Sequence, residues 1–391
     1  MNVISSPSPS SSLDLPHGLR IDLVDDIAVL ETEWKTLFEE GTGFIFQHYD
    51  WVSAAYETYD AKNRPVILTG RSSGRLQFII PMVLVSGIPA KLRWPGDSHT
   101  NIGCGLFSKE FLGNYTTGLI TTIFEKLQKH MTGIVVLHLK NQPKILAGHP
   151  NPLLELPHQS SANPFYIMDL EDGLDSILDR GNGKRKRKQF RRQQRVAEEL
   201  GGYELVIPKD PKEIEEIMTE FFTLKSARFA ELGINDVFED SATQQFLLRL
   251  AMKPEVNGNQ LLRLFVLKVG GKMRAMYGGG ILTDYCQSCI NAVAYDDFAE
   301  ESPGEMVMYL MVDHLIKTGF KKLDLGVGQE RYKVSWCRNT QTIMDTVYPL
   351  SYAAIPFSQY LKSETRLKEV IKSNQMLWEN FKKFRKLKSN I

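Results

Sequence analysis

The chain has 391 residues, of which 42% are hydrophobic and 24% are charged, and its formal net charge is +1. This length exceeds that of a typical single domain, so two domains are expected. The composition is that of a globular protein with a sizeable core. The near-neutral charge argues against a surface that is built as a whole to bind nucleic acid.

The amino-terminal residues 1–18 are rich in Ser and Pro and lack the basic and apolar regions of a signal peptide. We therefore expect a disordered arm there. The longest apolar run, residues 78–89, is too short for a membrane span and contains Pro81. The chain has four cysteines, too few for a disulfide framework in a chain of this length, which predicts a cytoplasmic location.

Apolar periodicity in residues 19–150 predicts a strand, two helices, three strands, a helix and a buried strand. In that order, the predicted ranges are 19–24, 25–40, 46–59, 65–69, 76–85, 91–94, 115–130 and 134–139. The proline-rich residues 141–164 are predicted to be an irregular connection to a second domain at 165–355.

The second domain, like the first, is predicted to alternate between strands and helices. Its predicted strands are 165–170, 203–207, 261–269, 273–282, 287–294, 321–325 and 344–350, and its predicted helices are 184–200, 211–232, 242–252 and 302–318. Three glycines at 278–280 inside a strand predict a β-bulge or a close approach of a ligand. Residues 356–391 are predicted to form a separate basic helix.

The first of these helices carries the strongest charge signal of the chain, KRKRKQFRRQQR at 184–195. Such a run could bind an anionic small molecule or carrier, or nucleic acid. It could also be a solvated helix whose charges are balanced by the acidic stretch 169–179. Arg187 and Arg191 are the candidate anion-binding or acceptor-binding side chains, together with Trp336.

The segment 299–336, AEESPGEMVMYLMVDHLIKTGFKKLDLGVGQERYKVSW, organises the second domain. Ser302 followed by Pro303 and Glu305 predicts a capping box with proline at the first helical position. The strand after this helix ends in Gly326 and Gly328, which predict a turn before a loop with a Tyr-Lys pair. A helix start and a strand end brought together in this way predict a site.

Other constellations are weaker. Cys286 and Cys289 have the spacing of metal ligands, but no second Cys or His pair accompanies them, so no metal site is predicted. His314 is predicted to be an interior histidine rather than a base.

The order of helices and strands is that of the GNAT acetyltransferase fold, an α+β fold of mixed, mostly antiparallel sheets flanked by helices. The run FIFQHYDW, the basic helix and the segment 299–336 together resemble the GNAT-like proteins of the CelD or BioF2-like family. The chain is more distantly similar to the Fem aminoacyltransferases. The resemblance implies two tandem GNAT-like halves, with a degenerate first half at 19–150 and an acyltransferase at 165–355.

The resemblance also implies acetyl-CoA or another acyl-CoA as cosubstrate, with no permanently bound cofactor. A helix amino terminus can hold the donor pyrophosphate through its free amides. The candidate donor-binding residues are Ser302, Gly304, Glu305, Met306, Gly326, Gly328 and Lys333. Glu301 and Pro303 depart from the usual pattern of this loop, which leaves acyl-carrier protein or aminoacyl-tRNA open as the donor.

Acyl transfer from a thioester to an amine needs a proton for the leaving thiolate. The resemblance places Tyr332 as that acid. Asp324, at the end of a buried strand, could receive or orient the amine, or cap the following turn. Three functions remain open: an acyltransferase that uses acyl-CoA and a small-molecule or saccharide acceptor, a Fem-like transferase that uses aminoacyl-tRNA, and a non-catalytic accessory protein of exopolysaccharide assembly.

Overall fold

The computed structural model describes residues 13–15, 18–40, 42–130, 133–253, 260–337 and 339–373. The chain divides into two compact units. Unit 1 contains Met1–Asn163 and Thr342–Trp378, and unit 2 contains Pro164–Gln341 and Glu379–Ile391. The predicted boundaries differ from this division, because they placed residues 342–355 in the second domain.

The strands in chain order are β1 (Leu13–Leu15), β2 (Leu19–Val24), β3 (Arg64–Ser72), β4 (Arg75–Val85), β5 (Ala90–Arg93), β6 (Leu106–Phe107), β7 (Val135–Pro143), β8 (Ile145–Leu146), β9 (His149–Pro150), β10 (His158–Ser160), β11 (Phe165–Asp169), β12 (Tyr203–Val206), β13 (Leu262–Val269), β14 (Lys272–Leu282), β15 (Tyr285–Val293), β16 (Lys322–Val327), β17 (Thr340–Gln341) and β18 (Ile343–Pro349).

The α-helices are α1 (Glu31–Glu40), α2 (Tyr49–Glu57), α3 (Lys109–Gly113), α4 (Leu119–His130), α5 (Gly173–Asp179), α6 (Gly183–Glu199), α7 (Pro211–Leu232), α8 (Ser241–Met252), α9 (Pro303–Lys317), α10 (Arg331–Trp336) and α11 (Ile355–Ser373). Short 3₁₀ helices lie at Ala28–Leu30, Ile45–Gln47, Asp97–His99, Pro152–Glu155, Ala299–Glu301 and Tyr352–Ala354.

Unit 1 contains a mostly antiparallel sheet in the order β1-β2-β3-β4-β5-β7-β18-β10, with β6 paired to β4. Strands β5 and β7 pair in parallel. Successive side chains of a strand point to opposite faces, and β4 follows this rule. Phe78 and Ile80 join the core cluster that contains α4, while Ile79 and Val83 pack with α1 and α2. Helices therefore cover both faces of the sheet.

Unit 2 contains a second mostly antiparallel sheet in the order β12-β13-β14-β15-β16-β11-β17. Its parallel pair is β15 with β16. One core cluster joins the apolar face of α9, including Met308 and Val312, to Phe265 and Tyr277 of the sheet. The predicted bulge is present, because the β14–β15 register shifts between Gly278 and Gly279.

Several predicted elements need correction. Strand β18 was predicted as part of the second domain, but it lies in the sheet of unit 1 between β7 and β10. The predicted irregular connection 141–164 contains the end of β7, the β8–β9 hairpin and β10. Leu13–Leu15 of the predicted disordered arm form a short strand that pairs antiparallel with β2. Most of the arm, and residues 374–391 of the predicted basic helix, lie outside the described residues.

Candidate functional site

Strands β15 and β16 separate at the centre of unit 2. Their parallel pairing ends at Gln287 and Asp324, although β15 continues to Val293 and β16 to Val327. Cys289 has no partner in the β14–β15 register. It is the bulged position and lies just beyond the last parallel pair. The bulge turns β15 away from β16. We call the resulting opening the splay.

Tyr332 is bound at the splay by residues of the neighbouring strands. The side-chain amide of Asn291 on β15 donates a hydrogen bond to Tyr332 Oη, at 3.2 Å from Nδ2. The Tyr277 ring on β14 meets the Tyr332 ring edge to face, with 6.0 Å between their centres. Burial raises the pKa of Tyr332 above its usual value, so the phenol is protonated at neutral pH. Tyr332 is thus a half-buried, protonated hydroxyl.

Asp324 is fully buried at the base of the splay. Its Oδ1 accepts a hydrogen bond of 2.5 Å from the Gly326 amide, so it does cap the turn, as one of the two predicted roles requires. Its Oδ2 has no hydrogen-bond partner among the described residues. Burial raises the pKa of Asp324 to about 8, against the Gly326 amide, Lys333 and Tyr285, which lower it. The carboxyl is therefore largely protonated at neutral pH.

Lys333 folds back on the turn that precedes it. Its Nζ donates to the Val327 carbonyl at 2.9 Å and pairs with Glu330 at 2.8 Å, and its side chain is 6% exposed. Gly326 and Gly328 have φ angles of 76° and 113°, which a side chain rarely allows. These three predicted donor-binding residues therefore shape the turn, and α10 replaces the predicted loop after it.

The amino terminus of α9 differs from the predicted capping box. Ser302 has φ 60° and ψ 62°, and its side chain caps no amide. In this left-handed conformation the Ser302 carbonyl accepts from the amides of Glu305 and Met306 instead, at 2.9 and 3.4 Å. Two of the three amides predicted to hold a pyrophosphate are thus engaged within the helix. Gly304 is the third, and it is partly exposed.

The Glu305 carboxylate, which a capping box would turn back onto the helix, points to other elements. Its Oε2 accepts from Lys186 Nζ at 2.8 Å and from Trp336 Nε1 at 2.9 Å. Lys186 also donates to Ser335 Oγ at 2.9 Å and lies 4.1 Å from the centre of the Trp336 ring. This cluster connects α6, α9 and α10. Glu305 and Trp336, predicted to bind donor and anion, bind each other.

Helix α6 also covers the carbonyls before α9. The buried Gln193 side chain donates to the carbonyls of Glu301 and Ser302, at 2.6 and 3.1 Å. Arg192 pairs with the Glu301 carboxylate at 2.5 Å. Glu301, the acidic residue that departs from the usual donor loop, therefore has partners on the basic helix.

The two arginines predicted as anion-binding residues have different surroundings. Arg187 pairs with Asp175 and Asp179, each at 2.8 Å. The acidic stretch therefore neutralises it, as the solvated-helix alternative requires. Arg191 is exposed and forms no ion pair with a described residue. It lies on one helical stripe with three other exposed cations that are also unpaired in the described part of the chain, Lys184, Lys188 and Arg195.

Unit 1 repeats the order of the site elements with different chemistry. There, α4 takes the place of α9, and the Glu155 carboxylate accepts from the Gly118 amide at 2.6 Å and the Thr121 amide at 3.4 Å. The parallel pairing of β5 with β7 ends at Leu92. Beyond it, the 4% exposed Trp94 donates to the Lys140 carbonyl at 3.0 Å. In unit 1, a carboxylate therefore occupies the amides at the start of α4, and an indole fills the space beyond the parallel strand pair.

Sequence reasoning did not find Asn291, Tyr277, Lys186 or Gln193. Asn291 and Tyr277 are opposite each other in the β14–β15 register. The signal that could have pointed to Asn291 is a polar strand residue that faces an aromatic residue of the neighbouring strand. Lys186 was hidden among the other cations of its run, and burial alone distinguishes it.

The remaining features of the described residues concern metal binding and membrane spans. Within the described residues, no group of three or more His, Cys, Asp or Glu side chains could hold a metal ion. Cys286 is buried, and burial raises its thiol pKa to about 12. No helix in the described part of the chain combines the length and apolar character of a membrane span.

Comparison with known families identifies the second unit. Residues 184–334 match the family described as the Acetyltransferase (GNAT) domain. This match confirms the predicted GNAT fold class and the predicted class of enzyme, an acyltransferase. Domains of this fold generally take their acyl group from acyl-CoA. The chain matches no curated protein sequence.

Solved structures share the fold across most of the chain. FemX aligns with a TM-score of 0.54 and 11% identity over 84% of this chain and 98% of that chain. L-PGS from Bacillus licheniformis aligns with a TM-score of 0.52 and 12% identity over 86% and 96%. A conserved protein of unknown function from Bacteroides thetaiotaomicron gives 0.52 and 12% over 84% and 100%. At these identities the similarity concerns the fold.

Proposed function

We propose that this protein transfers an acyl group, with acetyl the first candidate, from acyl-CoA to an amine or hydroxyl of a small molecule or polysaccharide precursor. The observation that carries the proposal is the protonated Tyr332 hydroxyl at the splay, with Asn291 donating to it from the opposite strand. A proton donor at the opening of a parallel strand pair fits the GNAT acyltransferase domain that contains it.

In the proposed reaction, the acceptor nitrogen or oxygen attacks the thioester carbonyl carbon. The bond to the acceptor forms and the carbon–sulfur bond breaks. The leaving thiolate takes the proton of Tyr332 Oη, while the acceptor loses its proton to water, and Tyr332 is reprotonated from solvent. Asp324, largely protonated at neutral pH, is suited to donate a hydrogen bond from its unpartnered Oδ2 rather than to act as a base.

Donor binding at α9 is the less supported part of the proposal. The Glu305 and Met306 amides are engaged, and the Glu305 carboxylate would repel a pyrophosphate at this helix end. Most of the binding energy would then come from the pantetheine arm along the splay, with Gly304 offering an amide. We therefore expect acyl-CoA to bind more weakly than it does to a glycine-rich loop with free amides.

The proposal has three further parts. The resemblance to CelD or BioF2-like proteins supports a saccharide acceptor. The cysteines Cys104, Cys286, Cys289 and Cys337 are free, which suits a reducing cytoplasm. Unit 1 is proposed to be a degenerate copy that binds no donor, because Glu155 occupies the amides of α4 and Trp94 fills the end of its parallel pair.

A second candidate is transfer from an acyl donor with a phosphodiester chain, of which aminoacyl-tRNA is the largest example. The supporting observation is the stripe Lys184, Lys188, Arg191 and Arg195, which is exposed while Lys186, Arg187 and Arg192 of the same helix are paired. Residues spaced by four, three and four positions lie on one helix face. Four cations along one face suit a row of phosphates.

Calorimetry with acetyl-CoA and longer acyl-CoAs tests the first candidate, followed by transfer of the acyl group to hydroxylamine as a surrogate acceptor. We expect heat of binding and formation of the hydroxamate. Absence of binding to every acyl-CoA would refute this donor. A gel-shift assay with charged and uncharged tRNA then decides the second candidate, and failure of both would favour the non-catalytic accessory protein.

A further inference from the structure

We infer that Asn291 is a positioning residue that directs the proton of Tyr332 into the splay, and that the Tyr277 ring supports the Tyr332 ring by packing. This inference rests on the proposed function for its catalytic meaning, but the hydrogen-bond arrangement can be tested without activity. It concerns residues that neither the resemblance nor the sequence pattern brought forward.

The donors and acceptors decide the direction of the proton. The Asn291 side-chain nitrogen can only donate, and it lies 3.2 Å from Tyr332 Oη. Tyr332 Oη therefore accepts this bond, and its own proton is left to point away from Asn291. The Tyr277 ring packs edge to face against the Tyr332 ring, with 6.0 Å between their centres.

The Asn291 donor also favours the state after proton transfer. Burial, the largest influence, raises the pKa of Tyr332, which keeps the proton in place before the reaction. The aligned Asn291 amide stabilises the phenolate that remains when the proton has left. Its geometry is fixed by the sheet, since Asn291 and Tyr277 are partners in the β14–β15 register. Both strands are rigid supports for such a site.

The sharpest variant is Asn291→Asp, because it exchanges a donor for an acceptor of nearly the same shape. A carboxylate at this position would accept the Tyr332 proton and turn it away from the splay. Asn291→Ala removes the donor without adding an acceptor. Asn235→Asp, in an exposed loop of unit 2, adds the same charge elsewhere.

The first measurement needs no substrate. A 3-nitrotyrosine is installed at position 332 in the full-length chain, and its phenol is titrated by visible absorbance in each background. We expect Asn291→Ala to raise this pKa by about one unit, as one lost bond to a charged oxygen implies. Asn291→Asp should raise it further, and Asn235→Asp should leave it within about 0.2 unit. An unchanged pKa in both Asn291 variants would overturn the inference.

The second measurement separates positioning from folding. Acyl transfer to hydroxylamine is compared for acetyl-CoA and for S-(4-nitrophenyl) thioacetate, whose thiolate leaves without a proton. We expect Asn291→Asp to lose about 100-fold in kcat with acetyl-CoA and less than about 5-fold with the aryl thioester. Equal losses with both donors would show a structural role only. If the unsubstituted protein transfers from neither donor, the proposed function fails, and the titration still decides the hydrogen-bond arrangement.

Discussion

Glu305 and Trp336, separated by 31 positions in the sequence, are joined by a hydrogen bond of 2.9 Å from the indole Nε1 to the carboxylate Oε2. Lys186 completes the contact from a third helix and is 11% exposed. The residues that make the segment 299–336 distinctive therefore hold α6, α9 and α10 together. Their first effect is on the stability of unit 2.

We predict that Glu305→Ala lowers the free energy of unfolding by about 1–3 kcal/mol, because it leaves Lys186 and the Trp336 indole without their shared acceptor. Urea unfolding followed by intrinsic tryptophan fluorescence measures the change. Glu300→Ala, one turn earlier on an exposed position, is the matched control and should change stability by less than about 0.5 kcal/mol. Equal effects of the two variants would contradict a structural role for the cluster.

We predict that Tyr332→Phe lowers kcat by about 10²–10⁴-fold and leaves the KM for the acyl donor within a few-fold. The phenol proton is lost, while the ring and its contact with Tyr277 remain. Steady-state kinetics at saturating donor, with hydroxylamine as acceptor, measures both constants. An unchanged kcat would remove Tyr332 as the acid and leave orientation of the substrates as the source of the rate.

The stability of unit 2 should depend on pH through Asp324. Its pKa is about 8 when folded and 3.8 when exposed, so between these values the folded chain holds a proton that the unfolded chain releases. Stability from this group is complete below about pH 4 and is lost as the pH rises through 8, by up to about 1.4 kcal/mol per unit. Asp324→Asn should remove this loss. Urea unfolding at about pH 5 and about pH 8 compares the two proteins; parallel changes would contradict the prediction.

The Glu155 carboxylate should stabilise α4 by binding two amides of its first turn. Glu155→Ala is expected to lower the free energy of unfolding of unit 1 by about 1–2 kcal/mol, as for other lost helix caps. Hydrogen exchange should accelerate at Gly118 and Thr121 before the rest of the helix. Glu125→Ala, exposed on the same helix, serves as control. Unaltered exchange at both amides would show that the contact contributes little.

If a phosphodiester chain binds α6, its affinity must depend on the unpaired stripe. We predict that Lys188→Glu combined with Arg191→Glu weakens tRNA binding and lowers the slope of log affinity against log salt by about 2. Arg187→Gln should leave the slope unchanged, because Asp175 and Asp179 already neutralise that guanidinium. Binding at several salt concentrations provides the slopes. Equal slopes for all proteins would exclude this surface as the contact.

The sequence indicated local features better than the partners of each side chain. Pro303 and the apolar stripe of α9 predicted that helix almost to the residue, and the three glycines predicted the bulge. The positive φ of Ser302 was not visible in the pattern, and it turned the predicted capping box into a cluster around Glu305. Asn291 was not recognised as a site residue, because its role depends on a hydrogen bond to Tyr332. Tyr332 is brought beside it by another strand and helix.

Long-range strand pairing was the least predictable feature. The apolar strand near residue 345 has the same pattern in either sheet, and only pairing with β7 and β10 assigns it to unit 1. No local periodicity distinguishes the two sheets, since both offer strand edges to an apolar segment.

The position of β18 has a consequence for biosynthesis. During synthesis from the amino terminus, residues 1–163 leave the ribosome long before the strand that completes their sheet, since all of 164–341 is translated in between. The nascent first unit must therefore wait with the hydrogen-bonding edge of β7 unpaired, which is a site for aggregation or chaperone binding. Unit 2, whose sheet strands are contiguous in the chain, can fold during that interval. A nascent chain whose residues up to 341 have all left the ribosome exit tunnel would thus carry a folded second unit and an unfinished first one.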